Sequence, residues 1–427
     1  MNMTSNANSP IRVALASCIG TTIEFFDFYI FGIAAALIIG PTFFPQDSPS
    51  AQTLNAALTF GIAYLARPLG SAFFGHFGDR VGRKSTLIAS LLLMGISTTL
   101  IGCLPGYASI GTLAPILLCV LRFGQGLGIG GEWGGAVLLV AEQAPKGKRG
   151  WYGMFPQMGP TIGFLFANGL FFILTVCLSD AEFKSWGWRI PFLCSFILVI
   201  IGLYVRMTLN ESALFIAARF EQKKMQAAIP FVTVFTKHAK PLIQGSLAMV
   251  VSYVLFYIAS VFLLSYSIKN LHITESEFLG WLCIAIVFKG LATFVSAWLS
   301  DKWGRRPVTM LGTGLTILLG FALAPLMQSG QPMAVALFVI LALILMGLTL
   351  GPMGAMLPEL FPTSVRYTGA SIAYNFSGII GASIAPLIAQ TLLVHGGLTW
   401  VGYYVAAAAL VSFVAIYSMQ ETRDVSL

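Results

Sequence analysis

Six charged side chains stand alone inside long apolar stretches of this chain: Glu24, Asp27 and Glu132 against Arg67, Arg122 and Lys289. A charge near the centre of a bilayer costs about 2.5–3.5 kcal/mol on insertion scales, so each one needs a reason. Three acids against three bases suggest internal pairing around a cavity. Glu24 and Asp27 are three residues apart and share one helix face. Counting depth along antiparallel helices puts Asp27 level with Arg122, and Arg67 level with Glu132, so both pairs are expected to meet. A carboxyl facing a movable arginine is a proton switch: burial favours the neutral acid, the guanidinium favours the ionised one, and moving the arginine releases or captures the proton. The histidines, His76, His238, His272 and His395, fall at loops or span ends. Proton coupling is therefore expected of Asp27 first, with Glu24 and Glu132 behind it and Arg122 as the modulating base. Arg122, Lys289 and Arg67 offer cations to an organic carboxylate. Tyr253 and Tyr257, Gln157, and the pair Tyr374 and Asn375 interrupt apolar runs and add hydrogen-bonding groups, although packing is the commoner role of such tyrosines.

The elements that must position these groups are membrane helices. Hydrophobic residues make up 57% of the chain and charged ones 9%, beyond what a soluble core needs. A spanning helix takes about 20 apolar residues. Six such stretches lie near 12–39, 52–77, 85–104, 113–141, 152–178 and 188–208, and six more near 241–268, 276–300, 307–327, 333–357, 370–394 and 398–419. The expected fold is an all-α membrane protein of two six-helix bundles, 1–208 and 241–427, joined by a polar cytoplasmic linker over 209–240. The polar first ten residues lead into a span too long for a signal peptide, so the first helix is expected to stay.

The net charge of +8 does not point to nucleic acid, because no basic loop interleaves stacking aromatics. Of 24 Lys and Arg, 18 fall at the termini or in alternate loops, and only Lys184, Arg189 and Lys269 in the opposite set. That asymmetry predicts cytoplasmic termini in a multi-pass bacterial inner-membrane protein. The six cysteines lack metal-ligand spacing, and no hydrolase elbow or zinc-protease helix is present. No metal, cofactor or enzyme activity is expected. Gly126-x-Gly128-x-x-Gly131 has the form of a dinucleotide fingerprint, but it sits mid-span with no preceding strand. It reads instead as a close-packing helix face.

Two loops repeat. FGDRVGRK at Phe77 to Lys84 and LSDKWGRR at Leu299 to Arg306 lie 222 residues apart. Glu142-x-x-Pro145-x-x-x-Arg149 is matched by Glu359-x-x-Pro362-x-x-x-Arg366. The chain is thus a duplication, with equivalent loops on one membrane face. There Asp79 is expected near the positive N-terminal end of a helix in the other half, with Arg80, Arg83 and Lys84 pairing acids such as Glu142 or Glu359. Asp301, Arg305, Arg149 and Arg366 complete a candidate cytoplasmic gate.

Gly75-x-x-x-Asp79-Arg80-x-Gly82-Arg83-Lys84 and its echo resemble the loop signature of the major facilitator superfamily. IGTTIEFFDFYIFG from Ile19, ARPLGSAFFGHFGDR from Ala66 and RFGQGLGIGGEWGGA from Arg122 resemble the metabolite:proton symporters, which carry shikimate, 2-oxoglutarate, citrate and proline or betaine. The resemblance implies proton-coupled uptake of a small organic anion by a monomer in the lipid bilayer, with the proton as the only coupling species. The zwitterion branch is less expected, since its osmosensing members carry a long helical tail and only eight residues follow Met419. A drug/proton antiporter should have fewer paired bases in its cavity, and a channel would need no proton switch.

Overall fold

The computed structural model describes residues 9–45, 49–208 and 230–425. Among them run twelve long helices. The first six are α1 (Pro10–Ala34), α2 (Pro49–Arg80), α3 (Arg83–Cys103), α4 (Leu113–Gln143), α5 (Arg149–Cys177) and α6 (Ile190–Met207). The second six begin with α7 (Ala239–Asn270), α8 (Glu275–Trp303), α9 (Arg305–Gln328) and α10 (Pro332–Glu359). The last helical stretch, Arg366–Tyr417, breaks where Gly397 takes φ 73°, giving α11 (366–396) and α12 (398–417). Helices are the natural form here because lipid offers backbone groups no partners, so each span must satisfy its own. Apolar side chains such as Leu65, Phe172, Val176 and Leu387 stand exposed on the outside, as a lipid-facing surface requires.

Each half repeats the same packing. In the first, α1 lies on α5, α2 on α4, and α3 on α4 and α6; in the second, α7 lies on α11, α8 on α10, and α9 on α10 and α12. The halves meet along α2–α11, α4–α11, α5–α8 and α5–α10. The turns that carry the repeated loops are built alike: Gly82 (φ 143°) and Gly304 (φ 107°) hold the left-handed conformation between α2 and α3 and between α8 and α9. The glycine face of α4 packs as expected, since a Cβ on Gly126 or Gly130 would strike the backbone of Ala63 or Arg67 on α2. Five-residue π segments follow or interrupt three helices, at Ala35–Ile39 after α1, Ile258–Phe262 within α7 and Ile379–Ser383 within α11. Of the expected linker, 209–229 lies outside the described residues, and Pro230–Lys237 forms a short helix leading into α7.

Candidate functional site

On the face that carries the repeated loops, each acid sits on a helix start in the other half. Asp79, at the end of α2, accepts from the backbone N–H groups of Tyr367 (3.2 Å) and Thr368 (3.0 Å) and from Thr368 Oγ1 (2.7 Å) at the start of α11. Asp301, at the end of α8, accepts from Gly150 N (2.8 Å) and Trp151 N (2.7 Å) at the start of α5. A carboxylate at these positions meets both unsatisfied donors and the positive end of the helix dipole. The glutamates alternate in the same way. Glu142 takes Arg83 from its own half (2.8 Å) and Arg366 from the other (3.7 Å); Glu359 takes Arg305 (3.4 Å) and Arg149 (3.8 Å). Lys84 reaches the Met207 carbonyl at 2.8 Å, and Arg80 stands exposed, so the pairing with Glu142 expected of this basic run falls to Arg83. The C-terminal tail adds what the motifs did not suggest. Glu421 accepts from Arg305 N (2.8 Å) and Arg306 N (3.0 Å) at the start of α9, and Thr422 Oγ1 donates to Glu359 (2.7 Å).

Inside the first half the expected pairs do not form. Glu24 and Glu132 share Arg206, one residue from the end of α6: its Nη2 meets Glu24 Oε1 at 2.8 Å and also bonds Glu132, while Nη1 donates to Glu132 Oε2 at 3.0 Å. Glu132 Oε2 also accepts from Ser90 at 2.7 Å. The guanidinium fits because it lies directly against Gly20, where a Cβ would come within 2.5 Å of Nη2. Asp27 accepts from Ser195 Oγ on α6 at 2.7 Å, and its second oxygen has no hydrogen-bond partner among the described residues. Arg122 turns elsewhere, donating to Gln125 at 2.6 Å and lying 3.7 Å from the Phe31 ring centroid. Arg67 does not meet Glu132; its guanidinium lies over the rings of Phe28 (4.3 Å) and Tyr64 (4.2 Å). The depths agreed, but helix rotation sends Asp27 to α6 and Arg122 to the aromatic face of α1.

Between the halves lies a cavity of about 50 Å³, lined by α1, α2 and α5 on one side and α7, α8, α10 and α11 on the other. Arg67, Lys289, Gln157, Tyr253, Tyr257 and Tyr374 all line it, and no acid does. Lys289 Nζ donates to Thr161 Oγ1 across the halves at 3.0 Å. Gln157 is held by Trp133 Nε1 (2.9 Å) and the Leu350 carbonyl (3.2 Å), and Tyr374 stacks on Trp133 with centroids 3.9 Å apart. Away from the loop face, the hydroxyls of Tyr64 and Tyr257 hydrogen-bond each other across the halves. Arg122 and Asn375 are outside the lining; Asn375 ties α11 to the Gly130 carbonyl of α4 at 3.1 Å. Arg206, Tyr64, Trp133 and Thr161 were missed as candidates. Tyr64 had a signal, lying three residues before Arg67 on the same helix face, whereas Arg206 resembled one more basic residue at a span end.

A duplicated twelve-helix bundle with a cavity between its halves and interlocked loops on one face is the architecture of a carrier that exposes one central site alternately to the two sides. The chain belongs to the sugar (and other) transporter family of the major facilitator superfamily, whose model matches residues 13–229 and again 219–427. It is similar to the inner membrane metabolite transport protein YhjE of Escherichia coli K12, 53% identical over 98% of this chain and 96% of the relative. The shikimate transporter of the same organism is 37% identical over 96% of this chain and 95% of its own. Among solved structures, the proton:xylose symporter XylE bound to 6-bromo-6-deoxy-D-glucose superposes with a TM-score of 0.79, covering 97% of this chain and 96% of that one at 18% identity, a likeness of fold.

Proposed function

We propose that this protein is a proton-coupled symporter that takes up a small organic anion across the bacterial inner membrane by alternating access. The observation that carries the reading is the cavity lining, which holds two bases and no acid. Desolvated cations without internal counter-charges suit a ligand that brings negative charge with it. The relative named as an inner membrane metabolite transporter and the one named as a shikimate transporter support a carboxylate cargo in that membrane.

On the positive-inside distribution the interlocked loop face is cytoplasmic. The Asp79 and Asp301 caps then hold the cytoplasmic side shut, and the Tyr64–Tyr257 contact closes the side from which substrate enters. The proton is assigned to Asp27, whose carboxyl has a serine hydroxyl for company and no cation. Taking up a proton removes an uncompensated buried charge, and its release on the cytoplasmic side resets the carrier. A second reading, a betaine-like zwitterion, draws on the aromatic rings of Tyr29, Tyr64, Tyr257 and Tyr374 around the cavity. Arg67 and Lys289 in the same walls repel a quaternary ammonium and place it second. Purified protein in liposomes, given an inward proton gradient and a panel of labelled carboxylates and betaines, tests the choice. Gradient-driven, saturable carboxylate uptake supports the anion reading, and uptake confined to betaines or indifferent to the gradient refutes it.

A further inference from the structure

The two repeated junctions differ in what they leave unspent. Lys84, at the start of α3, donates to the Met207 carbonyl at the end of α6 (2.8 Å). Arg306, its counterpart at the start of α9, donates through Nη2 to the Tyr417 carbonyl at the end of α12 (2.7 Å). An arginine meets that demand with one nitrogen and has donors left over; its Nε has no hydrogen-bond partner among the described residues. Where the first junction has Val81, the second has Trp303, which stands 60% exposed at the end of α8. Beside Trp303 and Arg306 a groove of about 560 Å³ opens between α9 and α12, walled by Pro307, Met310, Leu311 and Phe413. Leu311, Leu315 and Leu318 follow one another along α9 at helical spacing and are all exposed, as on a wall that meets lipid. Glu421 also lines the groove, but its carboxylate is taken up by the backbone N–H groups of Arg305 (2.8 Å), Arg306 (3.0 Å), Thr422 (3.0 Å) and Arg423 (2.9 Å). Lys302, one residue before Trp303, is exposed and lies 3.8 Å from the Trp298 ring centroid. Neither Lys302 nor Arg306 has an ion pair among the described residues.

We infer that this groove holds an anionic phospholipid of the leaflet on the loop face, its phosphate on Arg306 and an acyl chain along Met310, Leu311 and Phe413. Depth, charge and shape agree on that occupant. Exposed tryptophans and basic side chains at the end of a span belong at headgroup level, and from there the groove descends along two membrane helices. A net-negative headgroup answers two cations that no acid of the protein answers, whereas a zwitterionic headgroup brings an ammonium that they repel. A dissolved anion would use the arginine and leave the apolar walls bare, which a chain-bearing ligand covers. The site is separate from the cavity between the halves, since no residue lines both. It therefore stands whatever the cargo is.

The test uses the full chain in phosphatidylcholine nanodiscs, with a fraction of the lipid carrying brominated chains that quench nearby tryptophans. The fluorescence of Trp303 is read as the difference between the wild type and Trp303→Phe. Brominated phosphatidylglycerol should quench that signal as if it occupied the site about 5- to 25-fold more readily than brominated phosphatidylcholine, about fivefold per base. Arg306→Gln should lower the preference about fivefold, and Arg306→Gln with Lys302→Gln should bring it close to parity. Arg306→Lys, which keeps the charge, should retain most of it. Equal quenching by the two lipids in the wild type overturns the inference, and so does an undiminished preference in the double variant. Quenching by brominated phosphatidylethanolamine as strong as that by phosphatidylglycerol overturns the charge argument and the inference with it. Relief of the quenching by dissolved glycerol phosphate assigns the site to a free phosphate and overturns the lipid. Should Arg306→Gln fail to fold, the wild-type lipid series and Lys302→Gln, at an exposed side chain, decide the matter.

Discussion

The loop face and the central cavity treat charge in opposite ways. On the loop face every acid of the repeated motifs has a partner from the other half: Asp79 and Asp301 sit on foreign helix starts, and Glu142 and Glu359 each hold one arginine from either side. The cavity lining holds two bases, one from each half, among aromatic rings and hydroxyls, and no acid. The first region is complete without a ligand and can serve as a lock. The second is charge-imbalanced by itself, which is how a site selects for something that is not part of the protein. The Glu24–Arg206–Glu132 cluster belongs with the lock in this respect, because its charges are answered within one half.

The largest effect that would break this contrast is on stability. Arg206→Met strips the cation from two buried carboxylates and should destabilise the fold by about 3–5 kcal/mol, read as a lowered unfolding temperature in detergent. Lys289→Met should leave the unfolding temperature nearly unchanged, because that charge has no acid to abandon; equal losses in both variants would erase the distinction between lock and site. Next comes coupling. Asp27→Asn should abolish gradient-driven accumulation, by at least about tenfold, while substrate exchange down its own gradient continues. Accumulation at the normal level in that variant would move the proton elsewhere. Smaller is the lock itself: Asp79→Asn removes a charge from the start of α11, worth about 1–2 kcal/mol. A cysteine probe in the half of the cavity nearer the loop face should then label faster. Smallest is Tyr64→Phe, which deletes one hydroxyl contact worth about 1 kcal/mol and should raise labelling from the opposite side a few-fold.

Much of the lock was legible because its residues stand out against lipid-facing sequence. Asp79 and Asp301, Glu142 and Glu359 recur at matched places, and a charged residue at a helix junction has few places to go. The twelve spans were legible for the same reason, including the break between α11 and α12 near Gly397. The cavity was legible in part: Arg67, Lys289, Gln157, Tyr253, Tyr257 and Tyr374 were named and all face it. What failed was azimuth. Counting residues gives depth to within a turn, but whether Asp27 points to α4 or α6 depends on how α1 is rotated by its packing, which no spacing rule supplies. Arg206 escaped for a related reason. A long side chain near a helix end is ordinarily a positive-inside residue, and only the missing side chain of Gly20 on α1 lets it turn back into the bundle.

The three π segments divide the helices mechanically. Tyr29, Tyr257 and Tyr374, the cavity residues of α1, α7 and α11, all precede their π segments in the chain. A π turn is wider than an α turn and marks places where a helix bends or changes phase. On α1 and α7 the stretch beyond it runs toward the far face, so each of these two helices has an α-helical arm lining the cavity and a wider turn above it. Bending at those turns moves the far ends while the arms that line the cavity keep their shape, so that the movement of that end and the geometry of the cavity are open to separate mutation.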